Sequence, residues 1–294
     1  TVGEAIYEAV VHDGRITVDV PYDASLDGAE VHYELCEHAS IHPDPATIRD
    51  WSQEWQFLVS SYGQSDRTYI YTVNRTDVAT GGSLTLRTQA EVDAFAASRI
   101  NVVEGNLTIG VEGGEAIVNL DGLAGLVSVR CDLTVTNAYR GEDLAGLAGL
   151  RRCESLRIGS AGAPHETLKR IELPALREVA GDLQLCGAAV RAVAFAALQR
   201  VDGAFAVGSD ALAEIVADEL EAVGGDMRLA GSTGNAAKAP CEQMYFPKLQ
   251  RVGGELSVVR FGRLGQLATT FGALASVGSI AYEELALTSS CEFP

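Results

Sequence analysis

From about residue 100 onward the chain repeats one phrase: Val, a spacer, Gly, an Asx or Glu, then Leu, a spacer and a second apolar residue. It reads Val-Glu-Gly-Asn-Leu-Thr-Ile at 103–109, Val-Arg-Cys-Asp-Leu-Thr-Val at 129–135 and Val-Ala-Gly-Asp-Leu-Gln-Leu at 179–185. Looser copies follow as Val-Asp-Gly-Ala-Phe-Ala-Val at 201–207, Val-Gly-Gly-Asp-Met-Arg-Leu at 223–229 and Val-Gly-Gly-Glu-Leu-Ser-Val at 252–258. Degenerate copies begin at Cys153 and Val277, so the origins are spaced by 26, 24, 26, 22, 22, 29 and 25 residues. A period in the twenties demands a stacked solenoid, because a single copy cannot bury its own apolar face.

The phrase explains its own geometry. Residues four and six positions after the Val share one face of a strand and point inward, while those between point out. Ahead of each Val lies another apolar pair, as in Leu173-Pro-Ala-Leu176, Phe195-Ala-Ala-Leu198 and Phe246-Pro-Lys-Leu249, which predicts a further wall. Gly two past the Val permits a tight corner where a Cβ would crowd the turn. Upstream, Thr88-Gln-Ala-Glu91 is a capping box that starts a helix through about residue 97, with Val92 and Phe95 inward. Such a helix plugs the first rung, whose apolar side chains and sheet edge would otherwise be open.

Residues 1–81 have a different texture and read as a separate β-rich, sandwich-like domain, followed by the solenoid at 82–287 and a tail at 288–294. His12-Asp13-Gly14-Arg15 turns a hairpin, further strands are expected at 29–36, 53–60 and 68–74, and Asp44-Pro45 starts a short helix. About six strands fit most simply into a small sandwich.

The repeated text resembles the receptor L domain of insulin-receptor and epidermal-growth-factor-receptor ectodomains, and is similar to fungal cell-wall and bacterial surface proteins. Carrying the resemblance are Val103-Glu-Gly-Asn-Leu-Thr-Ile109, Leu120-Asp-Gly-Leu123-Ala-Gly-Leu126-Val-Ser-Val129 and Leu173-Pro-Ala-Leu176-Arg-Glu-Val179-Ala-Gly-Asp-Leu183. It implies a mainly β chain built on a right-handed parallel β-helix, and it brings no catalytic residues. Receptor signalling does not transfer, since the chain has no cysteine-rich module, membrane span or kinase.

Composition excludes some partners. A net charge of −18 repels nucleic acid and anionic membranes at long range. The longest apolar stretches fall well short of the roughly 20 residues needed for a membrane span, so no membrane insertion is expected. Six cysteines, Cys36, Cys131, Cys153, Cys186, Cys241 and Cys291, with no Cys-x-x-Cys pair point to disulfides and a secreted or cell-surface protein. Cys131 and Cys153 stand near neighbouring corners and are expected to staple two rungs. Pairings of Cys186 with Cys241 and of Cys36 with Cys291 are left open. Scarce Lys beside abundant Arg, Ala and Gly suggests a high-GC, bacterial genome.

Three clusters bear on chemistry. His32, Cys36, His38 and His42 have metal-ligand chemistry but match no standard zinc spacing, so solvated histidines are the plainer reading and no cofactor is expected. The outward column Asn106, Asp132, Asp182, Ala204, Asp226 and Glu255 offers carboxylates for Ca²⁺ or for paired-acid glycan cleavage, although Asx beside Gly more commonly caps a turn. Finally, the insertions 110–118, 136–143, 159–167, 230–243 and 260–263 all follow the same strand of their repeat and should gather along one edge. That edge carries Tyr139, Arg140, His165, Arg260 and Phe261, of the side-chain types that anchor interfaces. The expected function is a binding or adhesion module for a protein or glycan, not an enzyme. The alternative is a structural subunit self-associating through N-terminal strands, and the third reading is a polysaccharide-active β-helix enzyme.

Overall fold

A computed structural model describes residues 6–22, 24–160, 162–232, 239–241, 243–261 and 270–283. The chain divides into two compact units, Thr1–Val78 and Ala79–Pro294.

In the first unit, β1 (Ala9–His12) and β2 (Arg15–Pro21) form the expected hairpin. Asp13 and Gly14 carry φ of 46° and 75°, as a two-residue turn with both central residues left-handed requires. With β3 (Ala39–His42), β4 (Trp55–Ser61) and β5 (Arg67–Thr76) they make one five-stranded sheet, ordered β1-β2-β5-β4-β3. Strands β2 and β5 run parallel and the other neighbours antiparallel. Val18, Val20, Phe57 and Tyr71 pack against Leu26, Ile48 and Trp51, the last edge-on to Tyr71 at 5.1 Å.

The expected sandwich is therefore corrected: among the described residues the unit has one sheet, covered by connecting segments. No strand forms at 29–36 either. Its alternating apolar residues found no neighbouring strand to complete a ladder, and Tyr33 instead donates to Asp44 at 3.0 Å. Asp44 also accepts from the Ala46 amide at 2.9 Å, capping the short 3-10 helix Pro45–Thr47 where the sequence placed a helix start.

The second unit is a solenoid of about eight turns. Helix α1 (Gln89–Ser98) follows its first strand, Leu84–Leu86, with Thr88 accepting from the Glu91 amide at 3.2 Å and Val92 and Phe95 buried. It lies on the first rung so closely that a Cβ on Gly122 would meet the Val92 carbonyl oxygen at 1.8 Å.

A first wall stacks Val103, Val129, Cys153, Val179, Val201, Val223, Val252 and Val277 in register. All the origins read from the sequence thus coincide. A second wall stacks Leu84, Leu107, Leu133, Leu156, Leu183, Phe205, Met227, Leu256 and Ile280. The long strand Arg251–Val259 bends through the corner and belongs to both. The third wall comprises Arg170–Glu172, Ala192–Ala194, Glu214–Val216 and Gln243–Tyr245, and the 3-10 turns Asp121–Leu123 and Ala145–Leu147 stand in its place in the first rungs. Inside, Phe195, Phe205, Phe246 and Phe271 form a chain of ring contacts with centroids 5.5–6.2 Å apart.

The corner glycines serve stacking more than turning. A Cβ on Gly203 would lie 2.7 Å from the Gly181 carbonyl oxygen, and one on Gly253 would lie 2.0 Å from that of Gly224. Adjacent rungs touch there backbone to backbone.

The cysteine staple is also corrected. Cys153 pairs with Val129 and points into the core, whereas Cys131 lies two residues beyond Val129 with its thiol toward the Glu104 carbonyl at 3.8 Å. Cys36, Cys131, Cys153 and Cys186 are thiols, Cys241 is buried with its sulfur toward the Gln243 carbonyl, and Cys291 lies outside the described residues.

Leu183 is buried between Leu156 and Phe205 while its neighbour Gln184 is exposed. Leu183→Asp should therefore cost at least about 4 kcal/mol or prevent folding, and Gln184→Asp about 0.5 kcal/mol or less. Equal shifts in melting temperature would contradict the alternation.

Candidate functional site

Three side chains of the outward column are committed to the backbone. Asn106 accepts from the Asp132 amide at 3.1 Å, Asp182 from the Ala204 amide at 2.9 Å and Asp226 from the Glu255 amide at 2.8 Å. Each side chain bonds the equivalent corner one rung later, where the ladder between walls is interrupted. Asp132 in addition holds Arg157 at 2.6 Å. Asn106, Asp182 and Asp226 are thus clips between rungs.

In the N-terminal unit His32, Cys36, His38 and His42 are all exposed, and His38 contacts Glu37 at 3.8 Å. Among the described residues no three His, Cys, Asp or Glu side chains are gathered as metal ligands.

The insertions do follow the second-wall strand of their rungs, but their aromatic residues turn inward. Tyr139 is 1 % exposed, and His165 and Phe261 are fully buried. Parallel bridges join Ile117 to Tyr139, His165 to Gly187 and Ala239 to Phe261, so these residues form another core column. This corrects the expectation of an aromatic ligand-facing rim. Burial pushes the Tyr139 phenol well above its usual range, and its hydroxyl donates to the Asp143 carbonyl. Gly141 makes room for it, since a Cβ there would meet the hydroxyl at 2.1 Å.

His165 sits beside Tyr139 with ring centroids 6.0 Å apart. Its Nδ1 accepts from the Leu168 amide at 3.4 Å while Nε2 has no partner within hydrogen-bonding geometry. Burial depresses its pKa from 6.5 to about 4, opposed by the Thr136 backbone. The imidazole is therefore a neutral core residue at ordinary pH.

Two of the five predicted residues remain near the surface. Arg260 is half-buried with φ of 62°, its amide donating to the Glu283 carbonyl at 2.9 Å. Arg140 is exposed and pairs with Glu166 at 2.7 Å.

Around Arg140 lies a rim that the sequence reading missed. Asn137 donates to the Pro164 carbonyl and accepts from the Glu166 amide, both at 3.2 Å. Thr167 donates to the Gly141 carbonyl at 3.1 Å, and Lys169 pairs with Glu142. Two insertions, 136–143 and 159–167, are thereby tied into one surface that presents Arg140, Glu142, Glu166 and Lys169 to solvent. Surface pairs of this kind add only about 0–1 kcal/mol each to stability, so their value is positional. They form a fixed pattern of donors and acceptors suited to hydroxyl, carboxylate or peptide groups. A signal existed: opposite charges recur about one repeat apart, 26 residues from Arg140 to Glu166 and 27 from Glu142 to Lys169.

No family profile, no curated protein and no solved structure matches the chain.

Tyr139→Ala and Phe261→Ala should each destabilise the fold by about 3–5 kcal/mol in denaturant unfolding, as losses of packed aromatics do. Unchanged stability would return these residues to the surface. For His165 the folded pKa lies below the unfolded value, so in the window from about 6.5 down to 4 the unfolded chain binds the extra proton. Stability is complete above that window and should fall through it by up to about 3 kcal/mol. His165→Asn should flatten that part of the profile; an unaltered slope would assign it to other groups.

Proposed function

We propose that this chain is a binding module of the cell surface or the extracellular space, recognising a protein or glycan through the polar rim of its solenoid edge. The observation that carries the reading is the cross-bonding of insertions 136–143 and 159–167, which holds Arg140, Glu166, Glu142 and Lys169 in a preset array. A pre-organised surface loses little conformational entropy on binding, which is the main cost of loop-based recognition. The clipped acid ladder supports a role without catalysis. Surface placement, and a bacterial origin, rest on the resemblance of the repeat to receptor L domains and on composition; the cysteine argument for secretion has lost its support. A partner of this rim would be polar and not strongly acidic, since the net charge of −18 repels anions and the rim itself offers two cations and two carboxylates.

A second reading, assembly into a surface layer or fibre, is favoured by one specific observation. Strand β1 is a sheet edge, exposed throughout, and carries Val10 and Val11 at 65 % and 60 % exposure.

Presenting the purified chain to glycan and surface-protein arrays tests the first reading. At least one ligand should be retained, and Arg140→Ala with Lys169→Ala should weaken it by about 10-fold or more with little change in melting temperature. No retained ligand, or equal retention by the double variant, would contradict the rim as the site.

A further inference from the structure

Among the described residues the outer edge of β1 is unpaired and has a self-complementary register, and we propose that two copies of this chain join through it as an antiparallel, two-fold symmetric β1–β1 pair. The proposal rests on the assembly reading and specifies one of its contacts, since a two-fold pair is closed and a layer or fibre needs a second contact as well.

The hairpin fixes which backbone groups are available. A two-residue turn makes His12 and Arg15 a hydrogen-bonded pair, and alternation makes Val10 and Thr17 the next. The N–H and C=O groups of His12 and Val10 are therefore used inside the sheet. Those of Ala9 and Val11 point the other way, toward the open edge, and β2 is the only strand that pairs with β1 among the described residues.

An antiparallel partner must match outward groups to outward groups, which admits two-fold pairs centred on Ala9, Val10 or Val11; in the Val10-centred pair Ala9 of one copy faces Val11 of the other, and Val11 faces Ala9. Val10 then meets Val10 across the two-fold axis as a non-hydrogen-bonded pair, the closer of the two antiparallel geometries. In this register Glu8 stands opposite His12 at both ends, an acid against an imidazole. Sliding by one residue sets used groups against free ones, and sliding by two restores parity but leaves Glu8 opposite Val10 or Gly14 instead of His12. Hydrogen-bond parity leaves three centres, and the opposition of Glu8 to His12 selects Val10 among them. Side chains agree as well: Val11 shares the face of Ile16 and Val18, so pairing continues the apolar face of one sheet into the other.

The test uses the full chain. Sedimentation velocity from about 1 to 100 µM should show reversible dimers, a range matched to a modest edge-strand interface. Val11→Pro removes an outward N–H that the hairpin does not use, a place where an edge strand tolerates proline, and should weaken dimerisation by at least about 10-fold. Val10→Lys, which brings two ammonium groups together on the axis, should do the same and serves if the proline variant fails to fold. Under mild oxidation Val10→Cys should give a dimer linked at residue 10, since non-hydrogen-bonded partners have Cα atoms about 4.5 Å apart, within disulfide reach. Ala9→Cys should not link to itself. A wild-type chain that stays monomeric overturns both the proposal and the assembly reading. A dimer that survives Val11→Pro and Val10→Lys, or that links equally at residues 9 and 10, overturns the β1 contact while leaving assembly through another surface.

Discussion

Backbone hydrogen bonds from each rung to the next hold the solenoid together and dictate its sequence. The amides of Leu107, Leu133, Leu156, Leu183 and Phe205 donate to carbonyls one repeat later, at 2.8–2.9 Å. Because the ladder is parallel and in register, like positions must stack, and whatever occupies one rung meets its equivalents about 4.8 Å above and below. Inward positions become continuous columns of Val and Leu. Corner positions become glycine, because backbone from the neighbouring rung occupies the volume of a Cβ. Outward Asn106, Asp182 and Asp226 become clips, reaching the corner amide that the strand ladder leaves unpaired.

The same constraint separates what the insertions add to the core from what they offer to solvent. Chain inserted between two fixed walls must still close the barrel, so every described insertion contributes a plug, whether Ile117, Tyr139, His165, Ala239 or Phe261. Residues available for recognition are those beyond the plug, and in two insertions they are knitted together by Asn137, Thr167 and two ion pairs. Recognition by this rim and pairing through β1 use different units of the chain.

Much of the solenoid was legible because its signal is repeated. The Val origins, the inward Leu pairs, the corner glycines and the Thr88 cap each recur or follow a local rule, and each fell where expected. The plug column was not legible because its distance from the preceding strand varies from three residues, Val258 to Phe261, to ten, Leu229 to Ala239. Without a period, an aromatic in an insertion looks like a surface anchor. The Cys131–Cys153 staple failed for a related reason: the rung of Cys153 has a corner one residue shorter, so Leu156 stacks on Leu133 while Cys153 stacks on Val129. In the N-terminal unit nothing repeats, and alternation at 29–36 marked a strand that has no partner. Ion pairs one repeat apart were readable in principle, since the register that stacks Val on Val also stacks Arg140 near Glu166.

Amide hydrogen exchange measures the inter-rung ladder directly. The amides of Leu133, Leu156, Leu183 and Phe205 should exchange only with unfolding of the solenoid, and as slowly as one another, because each is buried and bonded to the next rung. The clipped amides of Ala204 and Glu255 should be protected as well, despite lying at corners. Rapid or rung-by-rung independent exchange at the four buried amides would contradict a solenoid held by in-register backbone bonds.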